Sequence, residues 1–242
     1  MTLDRPDKLN ALSPQLLHEL IAAAAWFDAQ PDVRRRRVGC RRPGVLGGVR
    51  PVGGHVRHRR RRRLRLAATF GRAATDALAG MRAVTVAAVR GWCIGGGVVL
   101  LSACDLRVVA DDATFAIPEV DLGIPLGWGG IRAWCRARPA LTRELVLTCR
   151  RFSAAEALAW RFVNRVVPAA EVDAAATELA EVLAGKARPG ARDDVAHIDE
   201  AADQLVSPAS ADRDAGLLAL AYLDDERRLR PGPTSRRREG RR

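Results

Sequence analysis

Aromatic residues are scarce, with five Trp, five Phe and one Tyr among 242 residues. None lies between Val33 and Ala67, the most basic part of the chain, so that part offers no rings on which nucleic-acid bases could stack. Lysine is nearly missing. Lys8 and Lys186 are the two, and the positive charge is otherwise arginine. No apolar run reaches the length of a membrane span, and no signal-peptide pattern follows Met1. The expectation is a soluble, cytoplasmic protein with no membrane partner. Five cysteines show neither a CxxC pair nor metal-like spacing with the four histidines. They read as small buried hydrophobes, with no metal site and no disulfide framework. The glycine patterns of a dinucleotide-binding turn, G-x-G-x-x-G, and of a serine-hydrolase elbow, G-x-S-x-G, are also missing.

The positive charge is concentrated in two blocks poor in acidic residues. Residues 33–66 hold fourteen Arg and no Asp or Glu, and residues 227–242 hold eight Arg and one Glu. Removing these blocks, +14 and +7, from the net charge of +12 leaves the rest of the chain at −9. The folded-looking part is therefore acidic. Arginine blocks can retain anions or nucleic acid in a salt-sensitive, non-specific way, but nucleic acid is disfavoured as the main partner. An apolar content of 48% and this length allow one large α/β domain or two small ones, with a sizeable core.

Periodicity gives a coarse order of elements. Thr2-Leu3 ends a strand. Ser13-Pro14 starts a helix, with Ser as cap and Pro in the first position, and Leu16, Leu17, Leu20, Ile21, Ala24 and Phe27 recur at helical spacing. Residues 34–65 show no periodicity. Helical pattern returns over 66–81. Val84 to Val89 predicts a buried strand, Val98 to Ala103 a helix, and 105–110 and 114–117 two further strands. Helices are expected over 141–147, 153–160 with Ser153 as cap, 171–183 and 195–205, and a strand over 162–167.

The chemistry-bearing stretch is Gly91-Trp92-Cys93-Ile94-Gly95-Gly96-Gly97. A strand, a glycine turn and a helix start together aim free backbone N–H groups at an anion or a developing oxyanion. Glu119 follows in Phe115-Ala116-Ile117-Pro118-Glu119. A proline before it and apolar neighbours predict partial burial, which raises a carboxyl pKa toward a useful range. Asp121 reads as a structural hydrogen-bonding group.

Taken with Ala103-Cys104-Asp105-Leu106-Arg107, the F-x-x-P-E at its fixed distance and the loop Gly123 to Gly130, this pattern resembles the crotonase superfamily, the enoyl-CoA hydratase/isomerase family. The resemblance covers Leu3 to about Gln30 and resumes over about 66–167. It implies an α/β fold, a crotonase-like spiral of ββα units with a helical C-terminal region. Residues 1–167 would form the core, with 34–65 aberrant and Arg-rich. Residues 168–223 would form a helical trimerisation region, and 224–242 a disordered basic tail. It also implies acyl-CoA substrates, no cofactor beyond the coenzyme A of the substrate, and a homotrimer or hexamer. By resemblance, Gly96 gives one oxyanion N–H and Glu119 is the acid/base. Gly95, Gly97, Gly127, Lys8 and Ala11 would line the substrate and its CoA.

The chain departs from the family pattern at three places. Where hydratases carry a second glutamate, Val99 stands, which tilts the expectation toward isomerase-like chemistry with one base. Where dienoyl-CoA isomerases carry an acid, Gly127 stands. The second oxyanion N–H, from an S-A-G-x-D-like turn, falls among residues 34–65 and no such motif is readable. A one-base frame shift would account for this, and the codon degeneracy is compatible with it. One spelling of Arg34 to Arg50, read a base later, gives V-V-V-V-S-G-A-G-A-R-A-F-W-A-G-F-D, a valine strand followed by A-G-x-D. As written, fourteen uncompensated Arg predict a solvated or misplaced segment in place of a buried strand. The alternative function is then an impaired or inactive relative that binds anions through its arginines.

Overall fold

A computed structural model describes residues 1–30, 35–40, 69–135, 138–186, 188–206 and 209–221. Its organising strand is β3 (Val84–Val89). Val86, Ala87, Ala88 and Val89 are all buried, so both faces of the strand are covered, as an apolar run without alternation requires. The one polar side chain within it, Thr85, is fully satisfied. Its hydroxyl and its amide both donate to Asp105 Oδ2, each at 2.6 Å, and its Oγ1 accepts from the Asp105 amide.

Around β3 lie β1 (Thr2–Leu3), β2 (Arg35–Cys40), β5 (Leu106–Ala110) and β8 (Arg165–Val167). They form a five-stranded sheet in the order β1-β2-β3-β5-β8, with every neighbour parallel. A second sheet contains β4 (Trp92–Ile94), β6 (Thr114–Ala116) and β7 (Phe152–Ser153). There β4 and β6 are parallel, and β7 runs antiparallel to β6. The chain thus places β3 in the large sheet, β4 in the small one, then a helix, and repeats the move with β5 and β6. This is the ββα spiral that the resemblance implies.

The helices are α1 (Pro14–Asp28), α2 (69–79), α3 (Gly96–Ser102), α4 (Gly130–Cys135), α5 (Pro139–Thr148), α6 (Ala154–Ala159), α7 (Val172–Ala184), α8 (Arg188–Leu205) and α9 (Ala209–Ala221). Ser13 caps α1 as expected, its Oγ accepting from the Leu16 amide. Ser153 and Glu156 cap α6 reciprocally. Val172, Ala176 and Ala180, one helical turn apart, bury the face of α7 that packs on β2, β3 and β5. Phe115 stacks on Phe152 at 5.2 Å and Trp134 on Phe162 at 4.2 Å, so four of the eleven aromatics help to tie β6, β7 and α4 together.

The structure corrects the sequence reading at β2. The Arg run is not excluded from the sheet: Arg35, Arg36 and Arg37 stand in register with Val84, Thr85 and Val86. A parallel ladder is made by main-chain N–H and C=O groups, and the slot between β1 and β3 leaves two rows of them in need of a partner. That demand outweighs the charge pattern from which a misplaced segment was expected. Two smaller corrections follow. The glycine turn contains a strand of its own, β4, and α9 has no counterpart in the expected elements. The rest of the Arg-rich block (41–65) and the basic tail (224–242) lie outside the described residues.

Candidate active site

The glycine turn starts at the end of β4. Gly95 has φ +55° and ψ −120°, a conformation that side-chain-bearing residues rarely adopt. Its amide donates to Ala116 O at 2.8 Å, which fastens the turn to β6. Its carbonyl accepts from the amides of Val98 (2.8 Å) and Val99 (3.2 Å), closing the first turn of α3. Gly96 and Gly97 therefore open the helix, where their N–H groups have no acceptor within it. Both are buried.

Glu119 meets this turn. A Cβ on Gly95 would lie 2.6 Å from Glu119 Oε1 and 3.4 Å from its carboxyl carbon, so the carboxyl group lies directly against the Gly95 backbone. The backbone of Glu119 is held by its carbonyl, which accepts from Leu122 and Ile124, each at 3.0 Å. Glu119 is 8% exposed, and its Oε2 has no hydrogen-bond partner among the described residues. Burial pushes the carboxyl up to about 7, a shift that a hydrogen bond from its own backbone amide only partly opposes. A buried carboxyl with one open oxygen and a pKa near neutrality can take a proton at one position and return it at another.

The sequence-expected residues fall into two groups. Gly95, Gly96, Gly97 and Glu119 form one locus. Leu12 joins them, its Cδ1 lying 3.1 Å from where a Gly96 Cβ would be. The loop before it is shaped by Arg5, which donates to Ala11 O at 2.7 Å and Ser13 Oγ at 3.0 Å. Ala11 is half-buried there, while Lys8, at the end of a 3-10 turn, is exposed. Gly127 faces α9, where a Cβ would meet Leu218 Cδ2 at 3.1 Å. Asp121 is exposed in the turn after Glu119. Val99 is buried, and its Cγ2 would lie 2.8 Å from a Cβ on Gly130, so an apolar contact occupies the place of a second carboxylate. The expected second oxyanion donor, near 44–50, lies outside the described residues. Among the described residues no group of three His, Cys, Asp or Glu is placed to hold a metal.

Sequence reasoning missed Trp128. It is 7% exposed and has φ +60°. Its indole covers Gly96, with Cζ3 at 2.5 Å and Cη2 at 2.9 Å from the position of a Cβ there. The available signal was a tryptophan placed inside a glycine-rich loop, Gly127-Trp128-Gly129-Gly130, where bulk is otherwise avoided.

Comparison with known proteins shows the family and the fold. The profile of the family described as enoyl-CoA hydratase/isomerase matches residues 1–235. Probable enoyl-CoA hydratase echA8 of Mycobacterium bovis is 35% identical over 196 residues, which are 78% of this chain and 74% of that protein. The peroxisomal Delta(3,5)-Delta(2,4)-dienoyl-CoA isomerase of Arabidopsis thaliana is 34% identical over 198 residues, 77% and 71% of the two chains. Among solved structures, an enoyl-CoA hydratase from Mycobacterium avium subsp. paratuberculosis superposes with a TM-score of 0.82 at 23% identity, covering 92% of this chain and 89% of that one. A probable enoyl-CoA hydratase from Mycobacterium smegmatis gives 0.77 at 27% identity, covering 91% and 89%.

Proposed function

Since the chain belongs to the enoyl-CoA hydratase/isomerase family, we propose that it acts on an acyl-CoA thioester through an enolate, with Glu119 as the one acid/base and the Gly96 N–H as an oxyanion donor. The observation that carries this reading is the contact between the Glu119 carboxyl and the Gly95 backbone, with Oε2 open and Val99 where a second carboxylate would be. The thioester oxygen accepts from Gly96 N–H. Glu119 Oε2 takes a proton from the carbon next to the carbonyl. The negative charge moves onto the oxygen, where the fixed amide stabilises it. For a 3-enoyl thioester, the proton then returns at the far end of the dienolate, which yields the 2-enoyl isomer. No second base is needed. Addition of water benefits from two carboxylates that orient it, so isomerisation is favoured over hydration. Apart from the coenzyme A of its substrate, this chemistry uses no cofactor.

Assembly as a homotrimer or hexamer in the cytoplasm is part of the same proposal. Exposed Ile198 and Leu205 on α8, and Leu217 and Leu220 on α9, support it as apolar surface for partner copies.

The test is turnover of 2-enoyl-CoA and 3-enoyl-CoA thioesters beside Glu119→Gln. Interconversion of the double-bond isomers, lost in the variant, with kcat/KM rising through an apparent pKa of about 7, supports the proposal. Equal turnover by both proteins overturns it. The Arg-rich block motivates a second reading, an impaired relative that binds anions. No turnover, no thioester binding and nucleic-acid retention that falls steeply with salt would establish it.

A further inference from the structure

We propose that Trp128 is the residue that selects acyl size: its indole is a removable wall between the glycine turn and a cavity behind it. The inference rests on the thioester reading above. Three separate features lead to it.

Trp128 has a left-handed backbone (φ +60°), which a bulky side chain rarely adopts and which must be held by its surroundings. The surroundings that hold it belong to one helix, α9. The Gly129 amide donates to Asp214 Oδ2 of α9 at 3.1 Å, and Gly127 packs on Leu218 of the same helix. The loop carrying the indole is thus clamped on both sides of Trp128.

The indole also bridges two glycines. Its benzene edge covers Gly96, while a Cβ on Gly71 of α2 would fall on the ring itself, against Cε2, Nε1 and Cδ2. Glycine inside a helix lowers its stability relative to Ala, so its presence at position 71 needs a reason. The indole is that reason: α2 is opened to admit the ring.

Beyond the ring lies a cavity of about 720 Å³, which Trp128 itself lines. Ala79, Val84, Ala103 and Leu106 form part of its wall, with Asp105 and Arg107 among its polar groups. Neither Glu119 nor Gly96 reaches that cavity. Trp128 both covers Gly96 and lines the cavity. With the indole in place, an acyl group entering over Gly96 stops at the ring. With the indole removed, the space continues into a volume large enough for several further carbons.

The experiment compares wild type, Trp128→Ala and Gly71→Ala on 3-enoyl-CoA thioesters of rising acyl length and branching. Calorimetric titration with saturated, unreactive acyl-CoA thioesters of the same sizes runs in parallel. A wall of this kind discriminates by roughly 10- to 200-fold per step in size. Trp128→Ala should therefore raise the ratio of kcat/KM for bulky over short acyl groups by at least about tenfold, and shift the affinity series the same way. Gly71→Ala pushes the ring toward Gly96 and should shift both series toward shorter groups, with α2 intact by circular dichroism. Unchanged size profiles in both variants overturn the proposal. Thioester binding without turnover in wild type overturns the enolate reading alone, and the titrations still decide the wall. No binding of any thioester by any of the proteins overturns both. If Trp128→Ala does not fold, Gly71→Ala decides alone, through the direction of its shift.

Discussion

Glu119→Gln should make the protein's stability less dependent on pH, because Glu119 is a buried carboxyl that folding holds away from ionisation. Its pKa rises from 4.5 in the open chain to about 7 in the fold, with burial as the main cause. That rise, from 4.5 to about 7, corresponds to about 3 kcal/mol. The sign follows from proton counting. Between pH 4.5 and 7 the folded carboxyl keeps its proton while the unfolded one has lost it. The Glu119 contribution to stability is therefore most favourable below about 4.5, falls as pH rises through that window, and is lower by the full amount above about 7. Gln keeps the shape and cannot ionise. The variant should follow wild type at pH 4.5 to within a constant offset, and gain on it by about 3 kcal/mol by pH 8. Urea unfolding at fixed protein concentration, at four values between pH 4.5 and 8, reads this directly, provided the slope with urea is the same for both proteins. Only the change in the difference with pH matters, so any new amide contact made by Gln drops out. Parallel curves for the two proteins would show that Glu119 is not held neutral by the fold, and the argument for its role as a near-neutral base would fall with them.

Gly95→Ala places a Cβ 2.6 Å from Glu119 Oε1 at φ +55°. Unfolding should show a loss of about 1–3 kcal/mol from the backbone strain, and turnover should fall about 100- to 1000-fold as the amide turn shifts. Ser153→Ala removes one half of the capping box of α6; the unfolding free energy should drop by about 1 kcal/mol with kcat/KM unchanged. Replacing Arg35, Arg36 and Arg37 by Val, opposite the half-buried Val84 and the buried Thr85 and Val86, should raise the unfolding free energy by about 1 kcal/mol or more, and a lower midpoint in urea would refute that.

What could be read in the sequence was what local physics determines alone. The run Val84 to Val89 gave β3 with its observed ends, because a short run rich in β-branched residues between Arg82-Ala83 and Arg90-Gly91 has one good solution. Ser13-Pro14 and Ser153 marked helix starts through capping chemistry, and both caps are present. The burial of Glu119 followed from Pro118, Phe115 and Ile117. Elements that depend on distant partners were not readable. Trp92-Cys93-Ile94 is too short to show a period and is a strand because Thr114 to Ala116 lies beside it. The start of α8 at Arg188 was missed by seven residues, although Pro189 in its first turn is the kind of signal that marks a helix start. Trp128 owes its place to Gly71, fifty-seven residues earlier, and to Asp214, eighty-six residues later. No local window contains either.

The Arg run at β2 joins the question of fold to the question of chemistry. The large sheet has its strand at 35–40 whether or not the side chains suit a position beside a strand buried on both faces. A one-base change of frame leaves the residue count unchanged, so the alternative reading V-V-V-V-S-G-A falls on 34–40 in the same register. It puts apolar and small residues where a covered parallel sheet favours them. The same change of frame turns Gly47 to Arg50 into A-G-F-D, the turn that would supply a second amide beside Gly96. With that spelling, one alteration would account for both an arginine-rich strand in a parallel sheet and an oxyanion site readable in only one half, and the gene sequence decides it. Two independent causes would have to fall within seventeen consecutive residues, 34–50, to do the same. The restored segment is therefore the natural partner for the Glu119 experiments. A gain in both sheet stability and turnover from that single replacement would tie the two defects to one origin, and a gain in stability alone would separate them.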